Sequence, residues 1–589
     1  MNRFFSVWLI VSTFFAVSCR KRGGDAVEKA TPAPAVLSVT PADGASGVAT
    51  SAVISVVYSE NISLNANYQI TVNGIGKSCT VNGSTLTIDM ALEPGTQYQV
   101  SIPASTVKDA AGNFAAAKQF GFATVAVAAE TILVEAENAV RSSGLNLQTV
   151  WTGYSGTGYV GNFVNSDDKL TFNLTGVAAG TYDIIVRYST SNWGTKICNL
   201  SVNGTSSTFE LSDSKESFVT SKFARLKLPA GNNTIVISAN YTYFAIDYLK
   251  LVPGQSNTNI TASLVTVAPS SQAVKVYEFL KSNYGTKVVS GTMANVNWNI
   301  NEAEWVKRHT GKYPAIATFD YIHLKSSPAD WIDYSNTTVA ENWWKNNGLI
   351  SAGWHWIVPT SQGASELTYE PGKTTFNAAN ATVVGTWEND VVKADLEKMA
   401  GYLKLLKAKN IPVIWRPLHE AAGNTYEYNG GTAWFWWGAK GADAYKKLWI
   451  YMFDYFKAQG LNNLIWVWTT QTKDKEFYPG DDYVDIVGRD IYNKGDALAV
   501  AIEFSRIQDA YPNKMVTLSE CGNVAKISDQ WAAGAAWSCY MPWYDYNRTN
   551  SLTEADFSSA DHQHANGAWW IDAFSKDNVI TRDAMPSLK

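Results

Sequence analysis

Ile411-Pro412-Val413-Ile414-Trp415-Arg416-Pro417-Leu418-His419-Glu420 and Met515-Val516-Thr517-Leu518-Ser519-Glu520 are two apolar runs of one design, each ending in a glutamate. Neither alternates apolar with polar residues, so neither reads as a strand with one wet face. Near-continuous apolar runs are what strands buried on both faces look like. Six more candidates lie at 287–292, 314–321, 349–356, 464–469, 483–492 and 535–543. Between them run helical patterns. Leu396, Met399, Leu403 and Leu406 recur at spacings of three and four, as do Tyr445, Leu448, Trp449, Met452, Phe453 and Phe456. Eight alternating units over 269–589 predict a (β/α)8 TIM barrel. Such barrels keep their chemistry at the C-terminal strand ends. Those ends carry His355, His419 with Glu420, Tyr492, Glu520 and Trp543, from the third, fourth, sixth, seventh and eighth strands.

Upstream of the barrel the pattern changes. Residues 128–254 show period-two alternation in 181–188, 200–204 and 234–237, and 35–126 show it in 52–58, 68–72, 85–88 and 98–102. Asn73-Gly74 and Asn82-Gly83 are turn signals. The fold expected is therefore multidomain, two all-β sandwich domains followed by the barrel, with 255–268 as a linker. At the N-terminus a short basic start precedes the apolar run 4–17, too short to span a bilayer comfortably. Ala16-Val17-Ser18-Cys19 resembles a bacterial lipobox, except that leucine usually stands where Ala16 is. This predicts a signal peptide over 1–18, lipidation of Cys19 and a tether over 19–34. Ordinary cleavage after Ser18 is the alternative. The expected localisation is outer membrane or cell surface, alternatively periplasmic or secreted, with membrane contact only through the lipid anchor.

Composition narrows the function. The net charge is −5 and charged residues make up 17% of the 589, which is no footprint for nucleic acid. The five cysteines have no CxxC spacing, and no HExxH-like metal signature occurs. Twenty of the 23 tryptophans lie at or after Trp298, some as core and some available as platforms for a sugar ring. Two carboxylates at one mouth suffice for glycoside hydrolysis without a catalytic cofactor: one protonates the leaving oxygen, the other attacks the anomeric carbon. In the second sandwich Glu135 and Glu137 fall two apart near the start and Asp247 near the end. Calcium held by the three would satisfy them. Three exposed or hydrogen-bonded carboxylates are the simpler alternative.

Three stretches carry resemblances. "VTPADGASGV" and "DAAGNF" resemble bacterial Ig-like domains, which are usually spacers. "VEAEN", "AGNNTIVI" and "AIDYLKL" resemble carbohydrate-binding modules of families 6 and 35. This resemblance implies a structural calcium near Glu135, Glu137 and Asp247, and glycan contacts from loop residues such as Tyr159, Asn192 and Trp193. "WRPLHEAAGN", "AWFWWG", "LSECGN", "SAGWHWIVP", "YPGDDYVDIVGRDIY" and "MPWYD" together resemble glycoside hydrolase family 26, mostly retaining endo-β-1,4-mannanases. What this implies is Glu420 as acid/base, Glu520 as nucleophile, Tyr492 orienting Glu520, and His419 beside the pair. His355 and Trp543 would line the subsite of the attacked sugar, and Trp434 would stack on the next one. Trp436 and Trp437 are expected in the core, Arg416 as a supporting cation, and Cys521 as a buried filler. The polymer expected is a β-mannan. β-1,3-xylan or mixed-linkage β-glucan are alternatives within the family, and a non-catalytic surface glycan-binding lipoprotein is an alternative of another class.

Overall fold

The structure, a computed structural model, describes residues 32–93, 95–125, 129–240, 243–254 and 259–589. The expected signal peptide and Cys19 lie outside them. All eight apolar runs of the C-terminal part become parallel strands: β1 (Val288–Asn295), β2 (Ile316–Asp320), β3 (Leu349–Trp354), β4 (Val413–Pro417), β5 (Leu464–Thr470), β6 (Ile486–Tyr492), β7 (Met515–Gly522) and β8 (Cys539–Pro542). Each pairs with the next, and β1 pairs with both β8 and β2, so the sheet closes. Closure leaves both faces buried, the inner by opposing side chains and the outer by helices, which is why these strands carry no polar alternation.

Helix α1 (Ser271–Asn283) precedes the barrel. The outer helices are α2 (Asn301–Thr310), α3 (Thr338–Lys345), α4 (Trp387–Ala408), α5 (Gly441–Ala458), α6 (Ala497–Ala510), α7 (Ile527–Ala533) and α8 (Gly567–Phe574). One unit departs from the expected alternation. Between β5 and β6 there is no α-helix, only 3-10 turns at Lys475–Phe477 and Asp481–Tyr483. The intervening sequence has Pro479-Gly480 at its middle, which breaks a helix, and lacks an apolar face at helical spacing.

The second sandwich has two antiparallel sheets. One runs Asn146–Gln148, Tyr159–Gly161, Ala245–Pro253, Gly180–Ser189, Val219–Leu228, with Ile132–Glu135 also paired to Ala245–Pro253. The other runs Val140–Arg141, Lys169–Val177, Gly231–Ala239, Lys196–Val202, Thr205–Leu211. Phe172, Val186, Leu200, Ile235, Ile237 and Leu249 fill the space between them. This sandwich and the barrel form one compact unit, Val127–Lys589. Its edge strand Val219–Leu228 lies against α6: the Arg225 N–H donates to Ser505 Oγ at 2.7 Å, and Lys222 pairs with Asp509. The described part of the expected linker, 259–268, is a bound strap. Thr261 N donates to Asn513 O at 3.0 Å, Val265 N to Asp485 Oδ1 at 2.8 Å and Thr266 Oγ1 to Leu464 O at 2.7 Å.

The first unit, Met1–Ala126, holds a separate small sandwich. One sheet orders Val36–Thr40, Ile54–Tyr58, Thr85–Ile88, Cys79–Asn82. The other orders Ala45–Val48, Lys118–Thr124, Gln97–Ile102, Ile70–Val72, Ile75–Lys77. Asn73 and Gly74 both take positive φ in its predicted turn. Among the described residues no helix is long and apolar enough to cross a membrane, and the four described cysteines are buried and free.

Candidate active site

Glu420 follows β4 on a strained turn. Leu418 and Glu420 both have left-handed backbone, φ 47° and 51°, which costs a residue with a Cβ energy and persists only where the surroundings impose it. The restraints come from buried rings: Tyr445 Oη donates to Leu418 O at 3.0 Å and Trp437 Nε1 to His419 O at 2.8 Å. Trp436 Nε1 likewise donates to Trp356 O at 2.6 Å. Trp436 and Trp437 are thus core, as expected, and their indole N–H groups shape the loop that presents Glu420.

Glu520 sits within β7 and is aimed by a bulge. Arg489 of β6 is opposite Leu518, but the next residue, Asp490, is opposite Glu520, so Ser519 is extra. Such an insertion re-aims the side chains after it. Tyr492 Oη donates to Glu520 Oε1 at 2.5 Å, and Arg416 Nη1 lies 3.1 Å from Glu520 Oε2. Arg416 also pairs with Asp490 and donates through Nε to Thr469 Oγ1 at 3.0 Å, while Ser519 Oγ donates to Asp490 Oδ1 at 2.7 Å.

Oxygens of Glu420, Asp490 and Glu520 all lie within 4.8 Å of one another. This is the arrangement a metal ion could use, but the Arg416 guanidinium already provides fixed positive charge at two of the three carboxylates. Burial, then the negative charges of Asp490 and Glu520, push the Glu420 carboxyl well above the usual range. Burial lifts Glu520 as well, but Arg416 pulls it down, Asp490 lifts it, and His355 and the Tyr492 hydrogen bond pull it down again. Tyr492 itself is held protonated, first by burial and then by the Glu520 charge. Glu420 is therefore the better proton carrier and Glu520 the better anion.

His355 Nδ1 lies 2.7 Å from Asp320 Oδ2, and its Nε2 is 3.1 Å from His419 Nε2. Burial lowers the His355 pKa, but the charge and hydrogen bond of Asp320 outweigh it and the net shift is upward. His419 is pushed well below its ordinary value by burial, Arg416 and His355, and its Nδ1 is buried without a partner. His419 is therefore neutral, and one proton is shared between the two facing Nε2 atoms. Trp543 stands beside His355, ring centroids 5.7 Å apart, and its backbone N–H donates to Cys521 O at 2.8 Å. Trp434 is partly exposed, and its Nε1 donates to Glu420 Oε2 at 2.7 Å. It thus touches the Glu420 carboxyl itself, besides being available for stacking.

All seven expected barrel residues meet at this mouth. Sequence reasoning left Asp490 and Asp320 without a role. Their signal was present: Asp490 precedes Tyr492 by two on β6, the spacing of one strand face, and Asp320 ends β2.

In the second sandwich the expectations fare unevenly. Tyr159 is fully buried and its hydroxyl accepts from Trp151 N at 3.2 Å, so it is a support under the rim rather than a glycan contact. It stacks under Trp151 (5.2 Å), which meets Trp193 edge-on at 5.8 Å; Trp193 in turn meets Tyr243 at 5.4 Å. Trp193 and Tyr243 are exposed, and Asn192 Nδ2 donates to Glu216 Oε1 at 2.6 Å. Glu135 and Glu137 do not share a strand face, because the strand ends at Glu135 and Ala136–Asn138 is a 3-10 turn. Both nonetheless reach one loop: Ser155 Oγ donates to Glu135 Oε2 at 2.7 Å and Thr157 N to Glu137 Oε1 at 2.6 Å. Asp247 is buried, paired with Arg187, and accepts from Ser155 N at 3.0 Å.

The comparisons agree with this architecture. Sequence models match a bacterial Ig-like domain over 30–124, carbohydrate binding module family 35 over 132–254 and glycosyl hydrolase family 26 over 265–571. The chain is 31% identical over 452 residues to a mannan endo-1,4-beta-mannosidase of Thermothelomyces thermophilus, covering 74% of this chain and 90% of that one. It is 30% identical over 473 residues to mannan endo-1,4-beta-mannosidase B of Piromyces sp, covering 78% of each. Among solved structures it resembles the GH26-CBM35 beta-(1,4)-mannanase of Podospora anserina (TM-score 0.52, 28% identity, 78% of this chain and all of that one). It also resembles a ruminal GH26 endo-beta-1,4-mannanase (TM-score 0.64, 26% identity, 77% of this chain and 98% of that one). With a mouth of paired carboxylates on a closed barrel and a match across more than half its length, the chain belongs to glycosyl hydrolase family 26.

Proposed function

We propose that this chain cleaves internal β-1,4-mannosidic bonds of mannan, glucomannan or galactomannan by double displacement, with Glu420 as acid/base and Glu520 as nucleophile. The observation that carries the mechanism is the closeness of the pair: one oxygen of Glu420 lies within 4.8 Å of one oxygen of Glu520. Direct attack needs carboxyl groups about 5–5.5 Å apart, whereas seating a water for inversion needs about 6.5–9.5 Å. The substrate follows from the mannanase relatives. Glu520, held by Tyr492 and Arg416, attacks the anomeric carbon as Glu420 protonates the departing oxygen, giving a glycosyl ester. Glu420, now anionic, then takes a proton from water as that water displaces Glu520. Trp434 fixes one oxygen of Glu420 and leaves the other for the proton. His355 and Trp543 line the attacked sugar. The test is reducing-end release by the full chain from mannan, glucomannan, β-1,3-xylan and mixed-linkage glucan, with proton NMR of the first-formed anomer. Mannan cleavage with β-product, cut about a hundredfold or more by Glu420→Ala and by Glu520→Ala, supports the reading. An α-product or another polymer overturns it.

The finer parts of the molecule have readings of their own. In the second sandwich the exposed rim of Trp193 and Tyr243 on Trp151 would bind glycan, tested by titrating the full chain's Trp193→Ala variant with mannan oligosaccharides. Structural calcium fits Glu135 and Glu137, since Glu137 Oε2 is buried without a partner. Asp247 would contribute least, because Arg187 already neutralises it. A melting temperature unmoved by chelator would remove calcium from the account. Export with Cys19 as a lipid anchor would place the enzyme at the outer membrane or cell surface. Labelled palmitate incorporation, lost in Cys19→Ala, tests this.

A further inference from the structure

Glu302 of α2 and His562, in the loop after β8, are both fully buried, with Glu302 Oε1 2.7 Å from His562 Nε2. His562 Nδ1 accepts from the backbone N–H of His564 (3.0 Å) and Ala565 (2.9 Å), which fixes the ring with Nε2 turned to Glu302 at ion-pair distance. The other Glu302 oxygen accepts from Asp545 N at 3.3 Å, and Asp545 Oδ2 accepts from Gln563 N at 2.9 Å. Burying such a pair away from water is costly, and the reaction steps above do not use it.

What the pair holds lies at the site. Asp545 is two residues beyond Trp543. The His564 ring meets the Tyr492 ring edge-on at 5.7 Å, and His564 O accepts from Asn523 N at 2.8 Å. Both rings close over Gly522, where an added Cβ would stand 2.4 Å from His564 Nδ1 and 2.8 Å from the Tyr492 ring. Tyr492 in turn donates to Glu520. We propose that Glu302 and His562 are positioning residues: they pin the segment 543–566 so that His564 braces the Tyr492 hydroxyl against the nucleophile.

This inference rests on the reading of Glu520 as nucleophile, and the experiment separates the two. In the full chain, Glu302→Gln, His562→Ala, His564→Ala, His564→Phe, Trp343→Phe and Tyr492→Phe are compared by kcat, KM, melting temperature and the acidic limb of kcat/KM against pH. Loss of the Tyr492 bond should cut kcat roughly tenfold or more and move the acidic limb up by about one unit. Arg416, His355, Glu420 and Asp490, the other ionisable groups facing Glu520, are unchanged in every variant. Glu302→Gln and His564→Ala should reproduce both effects of Tyr492→Phe, and His564→Phe should restore them by refilling the contact. Trp343, buried on α3 with its Nε1 donating to Ala315 O at 3.3 Å, is the structural control, and Trp343→Phe should lower the melting temperature and leave the limb in place. If His562→Ala does not fold, Glu302→Gln and the His564 pair decide. A limb unmoved in Glu302→Gln and His564→Ala, while Tyr492→Phe moves it, overturns the positioning role alone. A limb unmoved even by Tyr492→Phe, with Glu520→Ala still active, overturns the nucleophile and this inference together.

Discussion

The proposed double displacement needs Glu420 protonated and Glu520 ionised in the same molecule, and the residues around them favour this at some expense of stability. Both carboxyls are raised above the ordinary value, and the folded state therefore binds protons that the unfolded chain releases. The associated stability is fully present below the unfolded pKa of about 4.3 and is lost as pH rises through the folded value. Glu420→Gln should therefore raise the melting temperature at neutral pH, with the gain vanishing near pH 4, while abolishing turnover of polysaccharide. A melting temperature that falls at neutral pH would contradict this. The same shift sets the activity profile. The basic limb reports loss of the Glu420 proton, so it should lie well above the usual carboxylate range. Because the acid assists departure of the leaving group, Glu420→Ala should cost roughly 10²–10⁴ on polysaccharide and far less on the first step with an activated aryl glycoside. Pre-steady-state release of the aryl group would measure that difference, and equal losses on both substrates would contradict the acid role.

At the scale of elements, precision comes from loops fixed by large buried rings and from glycines that admit backbone. The loop after β4 passes so close to itself that a Cβ on Gly438 would stand 1.6 Å from Ala421 O. No rotamer change relieves a clash with a carbonyl, so Gly438→Ala should displace Glu420 and lose activity on every substrate while circular dichroism keeps the barrel signature. The eight strands were legible because burial on both faces leaves near-continuous apolar runs, and the two glutamates because they end such runs. Three features were not legible. The Ser519 bulge is a matter of register, which no single strand's sequence records. The lost helix after β5 was masked by the regularity of its neighbours, although Pro479-Gly480 marked it. Tyr159 was misread because a tyrosine on a short strand looks the same in sequence whether its ring supports a rim or forms it.

For the whole molecule the question is whether the second sandwich is a passenger or part of the barrel's fold. A binding module on a flexible linker raises local substrate concentration through linker length alone. Here the strap 259–268 is bonded along the barrel. Asp485 holds it by accepting from Val265 N at 2.8 Å while also accepting from Trp466 N at 2.7 Å. The sandwich edge is fixed by Arg225, whose Nη2 lies 3.6 Å from Asp509 Oδ1, and by Lys473 on Glu210 at 2.8 Å. Each ion pair at such a partly wet seam contributes little by itself. Together with the backbone bond to Ser505 they hold two folded bodies in one orientation, so any glycan on the module's rim approaches the cleft from a fixed direction. Two bodies so joined should unfold together. Calorimetry of residues 128–589 should give a single transition whose van't Hoff and calorimetric enthalpies agree. Arg225→Ala combined with Ser505→Ala, which leaves the catalytic mouth untouched, should split it in two and lower hydrolysis of insoluble mannan while leaving kcat on short oligosaccharides unchanged. A single transition that persists in the double variant would mean that the strap, not the seam, joins the bodies. The corresponding loss of cooperativity should then appear on Asp485→Ala instead.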